Sequence, residues 1–104
     1  MRYFFLSDRN GKIHLAIAVI VIAAAFAFSI SAGEWCLVLL CTALVMATEM
    51  LNCALEKLCD KVQPDFHPVI KIVKDVSAAA VLFESVISIV IGLIIFLPKI
   101  LVLL

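Results

Sequence analysis

Four polar side chains recur through one uninterrupted stretch of the chain: Glu49, Asn52, Glu56 and Asp60. No proline or glycine occurs between residues 35 and 61, so a single helix can carry all four. At about 100° per residue they fall at about 0°, 300°, 340° and 20°, a stripe about 80° wide. Carboxylates at this spacing repel one another and are costly beside apolar segments, so a cation must compensate them. The stripe is therefore a candidate functional site.

The chemistry that this stripe suits is the binding of Mg²⁺ together with a polyphosphate. Mg²⁺ in proteins is commonly held by one or two carboxylates and completed by phosphate oxygens and water. Lys71 and Lys74 follow the stripe in sequence, after a polar loop, and could offset phosphate charge. The sequence contains no Walker motif and no glycine-rich loop. A nucleotide site would therefore be built from helix ends and side chains.

Composition indicates the kind of element that must hold these residues. The chain has 104 residues, enough for one domain (residues 1–104), and 66% of them are hydrophobic. Only 15% are charged, against about 25% in soluble domains. The sequence therefore predicts an all-α membrane protein. Its net charge of zero gives no reason to expect a nucleic-acid partner.

The pattern of apolar runs predicts three transmembrane helices, over about residues 15–32, 35–61 and 69–97. The first run contains eighteen uncharged residues, about 27 Å as a helix, which is enough to cross the hydrocarbon. Gly33-Glu34 is predicted to be a minimal turn between the first two helices. A cleaved signal peptide is the alternative interpretation of the first run, although the run is longer than such segments usually are.

The basic residues predict the orientation of these helices. Seven of the eight flank either the first helix or the loop between the second and third: Arg2, Arg9, Lys12, Lys57, Lys61, Lys71 and Lys74. By the positive-inside rule, that side is cytoplasmic. The first fourteen residues combine cations with aromatic residues, which predicts a short interfacial segment before the first span.

Three blocks of sequence resemble the small prokaryotic lipid kinases, diacylglycerol kinase and undecaprenol kinase. The blocks are Asp8–His14, Glu49–Glu56 and His67–Asp75, and the third extends through residues 78–82. The stripe E-xx-N-xxx-E, followed at this distance by K-D, is the most specific part of the resemblance. Together these blocks span nearly the whole chain.

The resemblance implies a role for individual residues. Glu49 is expected to be the general base that takes the proton of a lipid hydroxyl. Glu56 and Asp8 are expected to hold Mg²⁺, although the family usually has Glu at the position of Asp8. The expected nucleotide-binding residues are Asp8, Glu56, Asp65, His67, Lys74 and Asp75. Asn52 and Asp60 are expected to support this cluster, and the expected lipid contacts are Glu49, Asn10 and Ala78.

The resemblance also implies the reaction and the partners. We expect an ATP-dependent lipid kinase, with MgATP as phosphate donor and a membrane lipid as acceptor. The expected assembly is a homotrimer with sites shared between subunits, in the bacterial cytoplasmic membrane, with the active site on the cytoplasmic side. The first and third blocks look more like the undecaprenol kinase branch, so undecaprenol is modestly favoured over diacylglycerol.

A non-catalytic membrane protein, such as a channel subunit or assembly factor, is the competing hypothesis, because intramembrane acids can also line ion pathways. It leaves unexplained why the acids lie at one end of a helix opposite two lysines. Two further residues receive plainer interpretations. His14 is expected to mark the boundary between water and membrane, and Glu84 to make a polar contact at a subunit interface.

Overall fold

The structure, a computed structural model, describes residues 9–104, and describes side chains from residue 11 onward. Within that part of the chain, three helices and no strands occur: α1 (Arg9–Ala27), α2 (Ala32–Val62) and α3 (Pro68–Leu103). The predicted all-α, three-helix architecture is confirmed. The predicted interfacial segment lies mostly at positions outside the described residues.

Two of these helices, α2 and α3, are long and apolar enough to cross a membrane. A shorter apolar segment, Gly11–Ala27, makes up most of α1. The outward surfaces of all three helices carry many exposed Leu, Ile, Val and Phe side chains. Such a surface would be unfavourable in water and suits contact with lipid or with other apolar helices.

The turn between α1 and α2 differs from its prediction. The structure ends α1 at Ala27 and begins α2 at Ala32, so Gly33 and Glu34 lie inside a helix. The chain reverses at residues 28–31, where Ser29 has a φ of 51°. Ser31 is the N-cap of α2: the Glu34 N–H donates to Ser31 Oγ at 3.2 Å. The Ser31 N–H donates to Glu34 Oε1 at 3.0 Å, completing a capping box.

The physical reason for this correction is the capping box. It satisfies backbone N–H groups that the first turn of any helix leaves without partners. Its Ser-x-x-Glu spacing fixes the helix start at Ala32, and Gly33 then adopts a negative φ like any other residue. The glycine was therefore the wrong indicator of the turn, and the serine and glutamate were the right ones.

The other helix ends follow recognisable local signals. After α2, the Gln63 N–H donates to the Cys59 carbonyl at 2.8 Å. The next helix begins with Pro68 in its first turn, where the missing N–H costs nothing. His67 precedes it as the N-cap, and its Nδ1 accepts a hydrogen bond from the Val69 N–H at 3.2 Å.

The start of α1 and the end of α3 also differ from the predicted ranges. The first helix begins at Arg9, before the apolar run predicted from residue 15. The third continues through Pro98 to Leu103, whereas the sequence predicts its end at residue 97. A proline removes one helical hydrogen bond, but ending the helix would leave several backbone groups without partners in an apolar setting.

The ends of α2 and α3 that face away from the stripe are joined by an ion pair and a small core. Lys99 Nζ lies 3.2 Å from Glu34 Oε2, linking the last part of α3 to the first turn of α2. Beside it, the rings of Phe28 and Phe96 pack edge to face with centroids 6.0 Å apart. The buried core residues here are Ala25, Ile30, Val38 and Ile95. These contacts hold the three helices together at this end of the bundle.

The observed turn makes opposite predictions for two substitutions. Gly33→Ala should raise the free energy of unfolding by about 0.4–1 kcal/mol, since a helical position gains from a less flexible unfolded chain. A Cβ at Gly33 would meet nothing within 4 Å. Ser29→Val should lower stability by about 1–2 kcal/mol, because a β-branched side chain is more strained than serine at this positive φ.

Both variants can be measured by titrating the helical circular dichroism signal with denaturing detergent in micelles. If the chain instead turned at Gly33, the alanine variant would be the less stable of the two. Stabilisation by alanine together with destabilisation by valine is the result that the structure predicts.

Candidate active site

The polar stripe of α2 runs from a buried end to an exposed end. Glu49 and Asn52 are the buried polar side chains, with 4% and 7% of their surface exposed. Glu56 and Asp60, one and two turns further on, are exposed. The stripe therefore leads from the apolar interior of the bundle to its surface, as the helical spacing predicts.

The side chain of Glu49 on α2 lies close to that of a histidine on α1. His14 Nε2 of α1 lies 3.5 Å from Glu49 Oε2, and the His14 side chain is itself mostly covered. The sequence predicts only a boundary role for His14, so this contact was missed. The signal that could have found it is the α1 stripe of His14, Ala18, Val21 and Ala25, whose i, i+4, i+7, i+11 spacing marks one helix face.

Asn52 is tied to α3 by a hydrogen bond from a serine. Ser77 Oγ donates to Asn52 Oδ1 at 2.6 Å, and the same hydroxyl lies 3.2 Å from the Lys74 carbonyl oxygen. Asn52, which is expected to support the site, is thus hydrogen-bonded to a side chain of α3. Ser77 is not among the site residues that the sequence predicts, so this contact was missed.

Two lysines of α3, Lys71 and the predicted nucleotide-binding Lys74, are paired with carboxylates. Lys74 Nζ pairs with Asp60 Oδ1 at 2.5 Å, bridging α3 to the exposed end of the stripe. Lys71 Nζ pairs with Asp75 Oδ2 at 2.6 Å, one turn along α3. Each lysine is thus positioned by a carboxylate that an incoming phosphate would have to replace or share.

The remaining predicted residues lie at the same end of the bundle or outside the described part. Asp65 is exposed in the loop, and His67 is exposed while capping α3. Ala78 is exposed on α3, one residue beyond Ser77. Asp8 lies outside the described residues, as does the side chain of Asn10, whose backbone belongs to α1.

An apolar cavity of about 280 Å³ lies between the three helices. His14 lines it on α1, Met46 on α2 and Ser85 on α3, among mainly aliphatic side chains. Ser88 also lines it, and the Ser88 hydroxyl oxygen is buried without a hydrogen-bond partner among the described residues. The contact between His14 and Glu49 therefore lies beside an apolar space.

The described residues include Glu56, one of the two carboxylates that the resemblance implies for Mg²⁺ binding. Among them, no group of three or more His, Cys, Asp or Glu side chains is arranged to hold a metal ion alone. Glu56 nevertheless presents an exposed carboxylate on the same stripe as Glu49. One carboxylate completed by phosphate oxygens and water is a common coordination for Mg²⁺. The Glu56 carboxylate thus fits a Mg²⁺ ion whose other ligands are phosphate oxygens and water.

This arrangement can support proton abstraction beside phosphate binding. A buried carboxylate can accept a proton from a hydroxyl held in the membrane. Exposed lysines and carboxylates at the helix ends can hold a charged group from the water side. The two capacities, proton abstraction at Glu49 and phosphate binding near Glu56 and Asp60, lie about two to three helical turns apart along α2.

Comparisons with known proteins identify the relatives of this chain. The sequence profile of the prokaryotic diacylglycerol kinase family matches residues 1–96. The undecaprenol kinase of Bacillus subtilis (strain 168) is 39% identical over 93 residues, covering 89% of this chain and 76% of that protein. No solved structure matches the chain.

Two diacylglycerol kinases are also similar to it. That of Synechocystis is 37% identical over 100 residues, covering 95% of this chain and 57% of that protein. That of Pseudomonas aeruginosa is 37% identical over 62 residues, covering 60% of this chain and 50% of that protein. The matched part of this chain therefore spans about half the length of each diacylglycerol kinase.

The hydrogen bond between Ser77 and Asn52 predicts a difference between two serines of α3. Ser77→Ala should lower the free energy of unfolding by about 1–2 kcal/mol, because it leaves the buried Asn52 amide without this partner. Ser88→Ala should be neutral or stabilising, since the buried Ser88 hydroxyl has no partner within residues 11–104 to lose.

The same detergent unfolding titration compares the two variants, which remove the same atom from the same helix. Equal losses of stability would contradict the assigned hydrogen bond. A loss confined to Ser77→Ala would support it.

Proposed function

The chain belongs to the prokaryotic diacylglycerol kinase family and is a lipid kinase, and we propose that it transfers the γ-phosphate of MgATP to undecaprenol. The observation that carries the proposal is the position of Glu49. This carboxylate is buried within an apolar bundle, while the rest of its stripe reaches the surface beside Lys74. A base so placed can meet a lipid hydroxyl from one side and a phosphate from the other.

The proposed location is the bacterial cytoplasmic membrane, crossed several times, with the site on the cytoplasmic side. Support comes from the two long apolar helices and from the lysines that surround the loop between them. The positive-inside rule then makes that loop cytoplasmic. ATP is available on this side.

In the proposed reaction, Glu49 accepts the proton of the lipid hydroxyl as that oxygen bonds to the γ-phosphorus of ATP. The bond from the γ-phosphorus to the bridging oxygen breaks, and ADP leaves with the electron pair. Phosphoryl transfer asks mainly for positioning and neutralisation of charge, with little covalent chemistry by the protein. Asn52, held by Ser77, keeps the α2 surface next to Glu49 fixed against α3.

The polar helix ends would hold the nucleotide. Lys74 would move from Asp60 to a phosphate oxygen, and Asp65, His67 and Asp75 would border the site. Glu56, with Asp8, would hold Mg²⁺ on the phosphates. Bound there, Mg²⁺ supplies neutralisation of phosphate charge and orientation of the transferred group.

A homotrimer with shared sites is part of the proposal. The exposed aliphatic faces of α2 and α3 offer surfaces that further helices can cover. Subunits packed side by side would also enclose exposed residues such as Glu56 and Ala78. Small residues on α3, including Ala78, Ala79 and Ala80, permit the close approach of a neighbouring helix.

The choice of undecaprenol rests on likeness to the Bacillus subtilis protein. This chain covers 76% of that undecaprenol kinase at 39% identity, against 57% and 50% of the two diacylglycerol kinases. Diacylglycerol is the alternative acceptor. Apolar surfaces between helices would accept the hydrocarbon of either lipid, so the assay must offer both.

The direct experiment measures transfer of radiolabelled γ-phosphate in mixed micelles with Mg²⁺, offering undecaprenol and diacylglycerol in parallel. We expect label mainly in undecaprenyl phosphate. Label mainly in phosphatidic acid would contradict the proposed acceptor and leave the kinase assignment intact. Label in neither lipid from folded protein would contradict the proposed function.

Glu49→Gln should lower kcat by about 10²–10⁴-fold, since removing a general base typically costs this much. The KM for ATP should change little, because Glu49 is not among the nucleotide contacts. Glu84→Gln is the matched control: it replaces another carboxylate of an apolar helix, outside the proposed site. It should retain most of the activity, and retention of most activity by Glu49→Gln would sink the role of base.

The ion pair between Lys74 and Asp60 predicts opposite effects on nucleotide affinity. Lys74→Gln should raise the KM for ATP, because a cation that faces the phosphates is lost. Asp60→Asn should leave the KM for ATP unchanged or lower it, since Lys74 no longer has to leave a carboxylate. Steady-state kinetics at saturating lipid checks both, and a rise in KM for Asp60→Asn would contradict this exchange of partners.

A further inference from the structure

We propose that His14 is a positioning residue for Glu49, holding one oxygen of its carboxylate so that the other faces the lipid hydroxyl. This inference rests on the proposed role of Glu49 as the base. It adds to the site a residue of α1 that the sequence analysis assigns only to the boundary between water and membrane.

The contact is specific to one atom of each side chain. His14 Nε2 lies 3.5 Å from Glu49 Oε2, a distance that allows an ion pair and that a small shift would shorten to a hydrogen bond. The Glu49 side chain is 6% exposed and that of His14 is 21% exposed. Water therefore has little access to the carboxylate.

A buried carboxylate needs such a partner. Its two oxygens together present about four acceptor positions, and leaving them without donors inside an apolar bundle is costly. The cavity beside His14 is lined mainly by aliphatic side chains, including Ile17 and Val45, which offer no hydrogen bond. His14 can supply this donor when its Nε2 carries a proton, and the described structure places that nitrogen beside Glu49 Oε2.

The consequence for the reaction is orientation. With Oε2 engaged by the imidazole, Oε1 is left to accept the proton of the hydroxyl. A carboxylate that could rotate would spend less time in this arrangement, and proton transfer requires the two heavy atoms within about 2.6–3.2 Å. His14 makes no bond to substrate in this scheme, so its loss should lower kcat and leave nucleotide binding alone.

The kinetic test compares two substitutions of His14. His14→Leu removes the donor and should lower kcat about 10–100-fold, by analogy with the cost of removing a hydrogen-bond partner that orients a metal ligand. The KM for ATP should not change. His14→Gln, which places an amide N–H near the position of Nε2, should recover part of the kcat. Ile17→Ala is the control, since it alters an apolar residue of the same helix and cavity.

A spectroscopic test does not depend on activity. The chain has two histidines, His14 and His67, so ¹⁵N-histidine labelling gives two imidazole signal sets, which His67→Ala assigns. Glu49→Gln should shift the Nε2 signal of His14 and leave that of His67 unchanged. This variant keeps His14, so it tests the contact even if the His14 variants fold poorly.

Two results would overturn the inference. One is an unchanged His14 spectrum in Glu49→Gln, which would mean that the two side chains are not in contact. The other is a wild-type kcat in folded His14→Leu, or equal losses in the Leu and Gln variants, which would indicate no role or a packing role. An inactive wild-type protein whose His14 signal responds to Glu49→Gln would refute the proposed function and leave the contact standing.

Discussion

The burial of one carboxylate constrains the rest of this structure. Glu49 lies in an apolar bundle at 4% exposure, where an ionised side chain is costly without donors. A donor on a second helix lowers this cost and brings that helix close to Glu49. His14 on α1 does so, while Ser77 on α3 fixes the adjoining Asn52. The three helices are thus tied together by polar contacts at the level where the proposed chemistry takes place.

The opposite end of the bundle, near Ser31 and Lys99, is held together by different contacts. The capping box of Ser31 and Glu34 sets where α2 begins, and Lys99 binds the same glutamate from α3. Glu34 therefore uses Oε1 to cap the start of α2 and Oε2 to pair with Lys99 of α3. Aromatic packing of Phe28 against Phe96 completes the closed end. Between the two ends an apolar cavity remains, so the helices are joined at both ends and less densely packed between them.

The charged surface at the other end is balanced within itself. Lys74 with Asp60, and Lys71 with Asp75, form pairs that lie where a nucleotide would bind in the proposed function. Exposed ion pairs contribute little to stability, so their exchange for phosphate contacts is inexpensive. A charged surface of this kind keeps the lysines in place before the substrate arrives. The buried part of the site is therefore built from contacts of Glu49 and Asn52 with other helices. Its exposed part is built from ion pairs that a phosphate can replace.

The sequence by itself determined the class of protein, the three helices and the stripe from Glu49 to Asp60, because these depend on local composition and on helical periodicity. The sequence also contains the signal for the start of α2, the Ser31-x-x-Glu34 capping box. The turn was nevertheless predicted at the neighbouring Gly33, and this prediction was wrong. Only the tertiary structure decided that His14 meets Glu49 and that Ser77 meets Asn52. Each pair joins two different helices, so the distance between its side chains depends on how the helices pack. A local sequence pattern contains no information about that packing.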